Sequence, residues 1–144
     1  MISQALPGSS TLVLERTRRP FVHHAAVART PWSRIKGLLG RTGLQDDEAL
    51  ILPHCRSIHM LGMRFPIDAV FVDRAWRVVA LRKHLMPGRI VLPVWKACAV
   101  VEAAAGAIER AGLLVGDQLQ LLDGRADGLV TSPASTKAKQ RKNV

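Results

Sequence analysis

Short apolar runs separated by polar breaks pattern this chain, and the period of those runs changes along it. TLVLERT and FVHHAAVART are β-type runs divided by RRP, whose Pro20 suits the first residue of a strand; they predict a hairpin or a pair of edge strands. The period then shifts to three and four. Thr30 as N-cap, Pro31 at the first helical position, and Trp32, Ile35, Leu38 and Leu39 predict a helix that stops by Gly40 or Gly43, with Gly37 inside it marking close packing against a strand. EALILPHCRSIHM predicts two short strands bent at Pro53. PIDAVFVD and RVVALRKHL read as an alternating pair joined by a four-residue turn over 73–76, the pattern of a β-hairpin. MPGRIVLPVW, with Pro87, Pro93 and Gly88, reads as loop held to extended or turning backbone. In ACAVVEAAAG, alanine favours helix and Val100 and Val101 favour strand; the reading taken is a strand through Ala103, then a short helix over AIERAGL and a last strand over GDQLQLL. The sum is an α+β chain, a β-rich domain, barrel-like or sandwich-like, with two short helices.

Composition limits what this can be. At 144 residues and 48% apolar content the chain holds one real core and not two. MISQALPGSS has turn formers and no period, and GRADGLVTSPASTKAKQRKNV is small, polar and basic, so the expected organisation is a disordered leader over 1–10, a domain over 11–123 and a disordered tail over 124–144. The formal charge is +10, of which the last twenty residues carry +4. Such an excess draws nucleic acid or anionic surfaces at low salt without specifying either. Cys55 and Cys98 lack metal or disulfide-framework spacing, and reduced thiols are expected. No basic-then-apolar leader and no run of about 18 apolar residues occurs, so the expectation is a cytoplasmic protein without a membrane span.

Candidate chemistry concentrates in CRSIHMLGMRFPIDAVFVD. If 67–73 is extended, Ile67, Ala69 and Phe71 face one way and Asp68 faces the other with Val70 and Val72; the same count puts Glu102 beside Val100. Two acids therefore belong in or near the core, where a carboxylate must be paired, hydrogen-bonded or protonated. Arg56, Arg64 or backbone N–H groups are the partners a structural anchor would use, and catalysis is the competing use of the same environment. His54, Cys55 and His59 offer metal donors, but strand parity lets at most two converge, so no metal and no cofactor is expected. A Cys55–His59 nucleophile pair has no supporting local signature. Strings for nucleotide loops, metalloproteases and serine hydrolases do not occur, and three Trp with three Phe and no Tyr are sparse for base stacking.

Taken in order, TPWSRIKGLLGR, CRSIHMLGMRFPIDAVFVD, VVAL and VVEAAAGAIERAGLLVGDQLQL resemble the DUF192 family over about residues 12 to 122. The resemblance implies a β-rich domain with two helical pieces in which Gly37 to Leu39, Pro66 to Asp68, Glu102 to Gly106 and Gly116-Asp117 fit the family pattern. Asp68 is then the family's typical acid, tryptophan is common where His59 stands, and a glycine is usual near Trp76, so a positive-φ turn there would cost about 1 kcal/mol. Members are often secreted or lipid-anchored, which this N-terminus does not signal. The functional expectation is a non-catalytic binding or accessory module that engages a small ligand or partner protein through His59, Met60, Arg64, Asp68 and Glu102. The alternatives are a metal-assisted or acid/base hydrolase using Asp68, His59, Cys55 and Glu102, and weak nucleic-acid or anionic-surface binding through the basic tail.

Overall fold

The computed structural model describes residues 10–30, 37–122 and 129–130. The two early β-type runs form β1 (Ser10–Leu14) and β2 (Arg19–Val27), an antiparallel hairpin with Leu14 opposite Arg19. EALILP becomes β3 (Glu48–Pro53), and β4 is the short Ile58–His59. The alternating pair is the expected hairpin of β5 (Ile67–Val72) and β6 (Val78–Leu85). β7 (Ile90–Val91), β8 (Ala99–Ala104), α1 (Ala107–Ala111), β9 (Leu119–Leu122) and β10 (Leu129–Val130) complete the chain. Gly112, in the left-handed region, ends α1 by a Schellman-type closure, in which its own N–H reaches Glu109 O and the Leu113 N–H reaches Ile108 O.

Eight strands form one sheet in the order β10-β9-β1-β2-β3-β8-β5-β6, antiparallel except for the β2–β3 pair. The sheet curls on itself. An isolated Arg77–Gln118 bridge, with Val78 N–H donating to Asp117 O at 2.8 Å and Leu119 N–H to Trp76 O at 3.0 Å, ties the start of β6 to the start of β9. One core cluster, including Leu12, Leu14, Val70, Val101 and Ile108, lies on one face of the sheet; a second, including Leu50, Met60, Phe71 and Val100, lies on the other. Both faces being covered explains why β3, β5 and β8 read as nearly continuous apolar runs.

The expectation of two helices changes. The described residues contain one short helix, not two. Of the early helix, residues 31–36 lie outside the described residues, while 37–40 form a turn with Gly37 at φ 48° and Gly40 at φ 84°, backbone that ends a helix instead of continuing it. Residues 1–9 and most of 124–144 also lie outside the described residues, but Leu129–Val130 pair with Leu122 and Leu121 of β9. The turn at Trp76 does have positive φ, 63°, and is held by the Asp73 carboxylate, whose Oδ1 accepts the Ala75 N–H at 2.9 Å and the Arg77 N–H at 3.0 Å.

Asp68 points to the face of Val70 and Val72, as parity requires, and is fully buried. Its partners are all backbone donors. Oδ1 accepts the His84 N–H at 2.9 Å, and Oδ2 accepts those of Gly106 at 3.1 Å and Ile108 at 3.0 Å. Of the partners weighed from sequence, the backbone N–H groups hold it and the guanidiniums do not: Arg56 is exposed and donates from Nε to Ala97 O at 3.1 Å, and Arg64 is exposed. One side chain thus joins β5 to the irregular end of β6, where His84 sits at φ 49°, and to the entry of α1. Asp68→Ala leaves three backbone donors without this acceptor, that of Ile108 in a buried bond, and is expected to cost about 3–5 kcal/mol in urea unfolding. Asp68→Asn, with one acceptor oxygen and an NH₂ facing donors, is expected to lose at least about 2 kcal/mol; a wild-type urea midpoint for it would contradict this assignment.

Candidate functional site

Elements β4 and β7 pair antiparallel, Ile58 with Val91 and His59 with Ile90, as a separate two-stranded sheet beside the large one. Alternation sorts their side chains. Ile58, Met60 and Val91 are buried in the second core cluster, whereas His59, Leu61, Ile90 and Leu92 are exposed on the outer side. Backbone bonds lock this unit down: the Met60 N–H donates to Arg89 O at 2.6 Å, the Gly88 N–H to Met60 O at 2.8 Å, and the Val94 N–H to Arg56 O at 2.8 Å. Residues 86–95 are turn and irregular backbone, as expected, except for the two-residue strand β7, and several of their apolar side chains are exposed. Exposure there is high for such side chains, at 79% for Leu92, 75% for Trp95, 64% for Ile90, 54% for Met86 and 51% for Leu61.

The sequence-predicted site residues do not gather in one place. His59 and Arg64 are exposed, and Met60 lies directly beneath the outer face as part of the core. Asp68 and Glu102 stand on opposite faces of the large sheet: Asp68 is opposite Ala103 on the side of the first cluster, and Glu102 is opposite Leu50 and Ala69 on the side of the second. They cannot act as a pair on one substrate. Cys55 donates its thiol hydrogen to Ser57 O at 2.9 Å; its N–H reaches Cys98 O at 3.3 Å, and no disulfide joins the two cysteines. No three His, Cys, Asp or Glu side chains among the described residues come together as a metal cage.

Two buried acids were not singled out by sequence reasoning. Glu48 is fully buried at the start of β3, with Oε2 accepting the Gln45 N–H at 3.1 Å and lying 3.4 Å from the Arg41 guanidinium. Parity could not flag it, because β3 is buried on both faces. Asp117 is bound through both carboxylate oxygens by Arg16, at 2.9 and 3.1 Å, and the bond to this guanidinium holds its carboxyl below the ordinary range. The sequence did offer its place in the Gly116-Asp117 motif.

Glu102 differs from these acids. It is buried, its Oε2 has no hydrogen-bond partner, and burial lifts its pKa from the ordinary 4.5 to about 7. Below pH 4.5 the carboxyl is protonated folded and unfolded alike, so it costs nothing. Between there and pH 7 the unfolded chain ionises first and stability falls, by about 3 kcal/mol once both states are charged. Glu102→Gln is expected to remove this loss, so that the stability difference from wild type grows by about 3 kcal/mol from pH 4 to pH 8 in urea titrations. A pH-independent difference would contradict a neutral buried Glu102.

The DUF192 family model, described as uncharacterized ACR, matches residues 13–121. A UPF0127 protein of Thermococcus sibiricus is 31% identical over 97 residues, covering 65% of this chain, and the match spans 62% of that relative's length. A crystal structure of a protein of unknown function from Novosphingobium aromaticivorans superposes with TM-score 0.67 at 26% identity, covering 83% of this chain and 92% of that one. One from Sinorhizobium meliloti, assigned as a transcription regulator, gives TM-score 0.62 at 22% identity over 76% of this chain and 89% of its own, a likeness of fold alone. With residues 13–121 of 144 matched, from within β1 into β9 and across the buried acid of β5, this chain belongs to the DUF192 family.

Proposed function

We propose that the chain is a non-catalytic binding module and that its docking face is the outer side of the β4–β7 sheet, around His59, Met60 and Arg64. The observation that carries this reading is the exposure of Leu61, Met86, Ile90, Leu92 and Trp95 on one small, backbone-locked unit. Isolated surface leucines need no explanation, but Met86, Ile90 and Leu92 share one groove, with Leu61 and Trp95 exposed close by in sequence, and such a concentration marks an interaction surface. His59 lies on this face opposite Ile90, Met60 supports it from beneath, and Arg64 follows in the same loop. Asp68 contributes by holding the β6 end from which the unit departs.

The acid/base alternative retains one specific support, the buried and unpartnered carboxyl of Glu102, neutral up to about pH 7. It loses Asp68, whose oxygens are committed to three backbone donors. A general acid also needs a second reactive group within hydrogen-bond reach. Among the expected partners, His59 is on the outer face and Cys55 is turned to Ser57.

A photo-reactive amino acid placed at Leu92, and in a separate protein at exposed Glu15 in the β1–β2 turn, tests the docking face in the cell. Adducts to protein or lipid confined to the Leu92 probe are expected. Indistinguishable adduct patterns from the two positions would reject this face as the binding surface.

A further inference from the structure

The outer face has a second property besides exposure. From Arg74 to Val101 the chain carries six basic residues and no acid. A groove of about 460 Å³ along this face is lined by Arg82, Lys83 and Arg89 together with Met86, Ile90 and Leu92. Lys96 follows Trp95 in sequence, and Arg56 meets the same segment through its carbonyl bond to Val94. Asp68, the one acid from residue 49 to 72, is buried beneath the surface and satisfied by backbone. An apolar centre with a cationic border is thus what the surface presents, Arg82 and Arg89 supplying its charge together with Lys83, whose Nζ lies 3.7 Å from the Glu109 carboxylate.

We infer that this face seats on an anionic lipid surface, with Ile90, Leu92 and Trp95 entering the headgroup–acyl boundary and Arg82, Lys83 and Arg89 meeting lipid phosphates. This rests on the docking face proposed above and names what it docks on. Charge complementarity selects an anionic partner. The form of the apolar part selects lipid over protein: Leu92 and Trp95 are the most exposed large apolar side chains of the described residues and project outward, whereas protein anchors are matched by a complementary pocket. A fluid boundary needs no such match, and a tryptophan with a cationic border is suited to it. Pro87, Pro93 and the bonds from Met60, Gly88 and Val94 fix the protruding segment beforehand, so little order remains to be imposed on binding. The contact is peripheral, since no helix among the described residues is long and apolar enough to cross a membrane.

The test is flotation of the full chain with phosphatidylcholine vesicles and with vesicles containing about one-third phosphatidylglycerol, at low salt and at about 0.5 M salt. Binding to the anionic vesicles alone is expected, weakened roughly tenfold or more by the high salt. Leu92→Asp and Trp95→Ser are each expected to weaken it by roughly tenfold, while Leu114→Asp, at an exposed site away from this face, leaves it unchanged. A Trp95→Phe variant should lose the blue shift of tryptophan emission seen on vesicle addition. Failure to float at low salt overturns the inference, and so does flotation that survives Leu92→Asp, which would assign the attraction to general charge or to the basic residues after 124. Protein adducts from the Leu92 probe without flotation would overturn the lipid partner while leaving the docking face in place. Adducts from neither, with no flotation, would remove both.

Discussion

The carboxylate of Asp68 is the contact on which the rest of the arrangement hangs. β5 is buried on both faces, so an acid at its second residue has no water to turn to and must be met by protein. Three backbone N–H groups from two separate segments do this, and each of them would itself be an orphan without the acid. The consequence reaches well beyond the bond lengths. Holding His84 in the left-handed region fixes the register shift in β6 between the Ala69–Arg82 and Ile67–Leu85 pairs, just before the 86–95 segment whose β7 pairs with β4. Holding Gly106 and Ile108 sets the corner between β8 and α1. The docking face is downstream of a buried acid that never touches the surface.

Four buried acids in one small domain illustrate four ways of meeting the same cost. Asp68 uses backbone donors, Glu48 a guanidinium and a loop N–H, and Asp117 a two-pronged arginine. Glu102 uses none for its Oε2 and avoids the charge instead, by staying protonated up to about neutral pH. The acids are therefore mostly architecture, which moves the search for function from the polar residues of the interior to the apolar residues of the exterior.

How far this was legible in the sequence follows from the range of the signals. Strand parity is a local property, and it placed Asp68 with Val70 and Val72 and Glu102 with Val100 correctly. The β5–β6 hairpin and the left-handed Trp76 were also local. Backbone N–H groups stood among the candidate partners of Asp68 beside Arg56 and Arg64, but which residues supply them was not legible, because donors thirty-eight and forty residues away carry no side-chain signature. Parity within one strand also does not say how two strands face, so Asp68 and Glu102 were grouped although register places them on opposite sides of the sheet. In MPGRIVLPVW the prolines masked the alternation of Ile90, Val91 and Leu92, and the pairing with β4 joins Ile58 to Val91 and His59 to Ile90 across a long stretch of sequence.

Native-state amide exchange by NMR tests the central tie most directly. If the Asp68 carboxylate holds both segments, the amides of His84, Gly106 and Ile108 exchange together, at the slow rate set by global unfolding. Fast exchange at any one of the three through local opening, with the core strands still protected, would contradict the tie and leave the fold to be explained by packing alone.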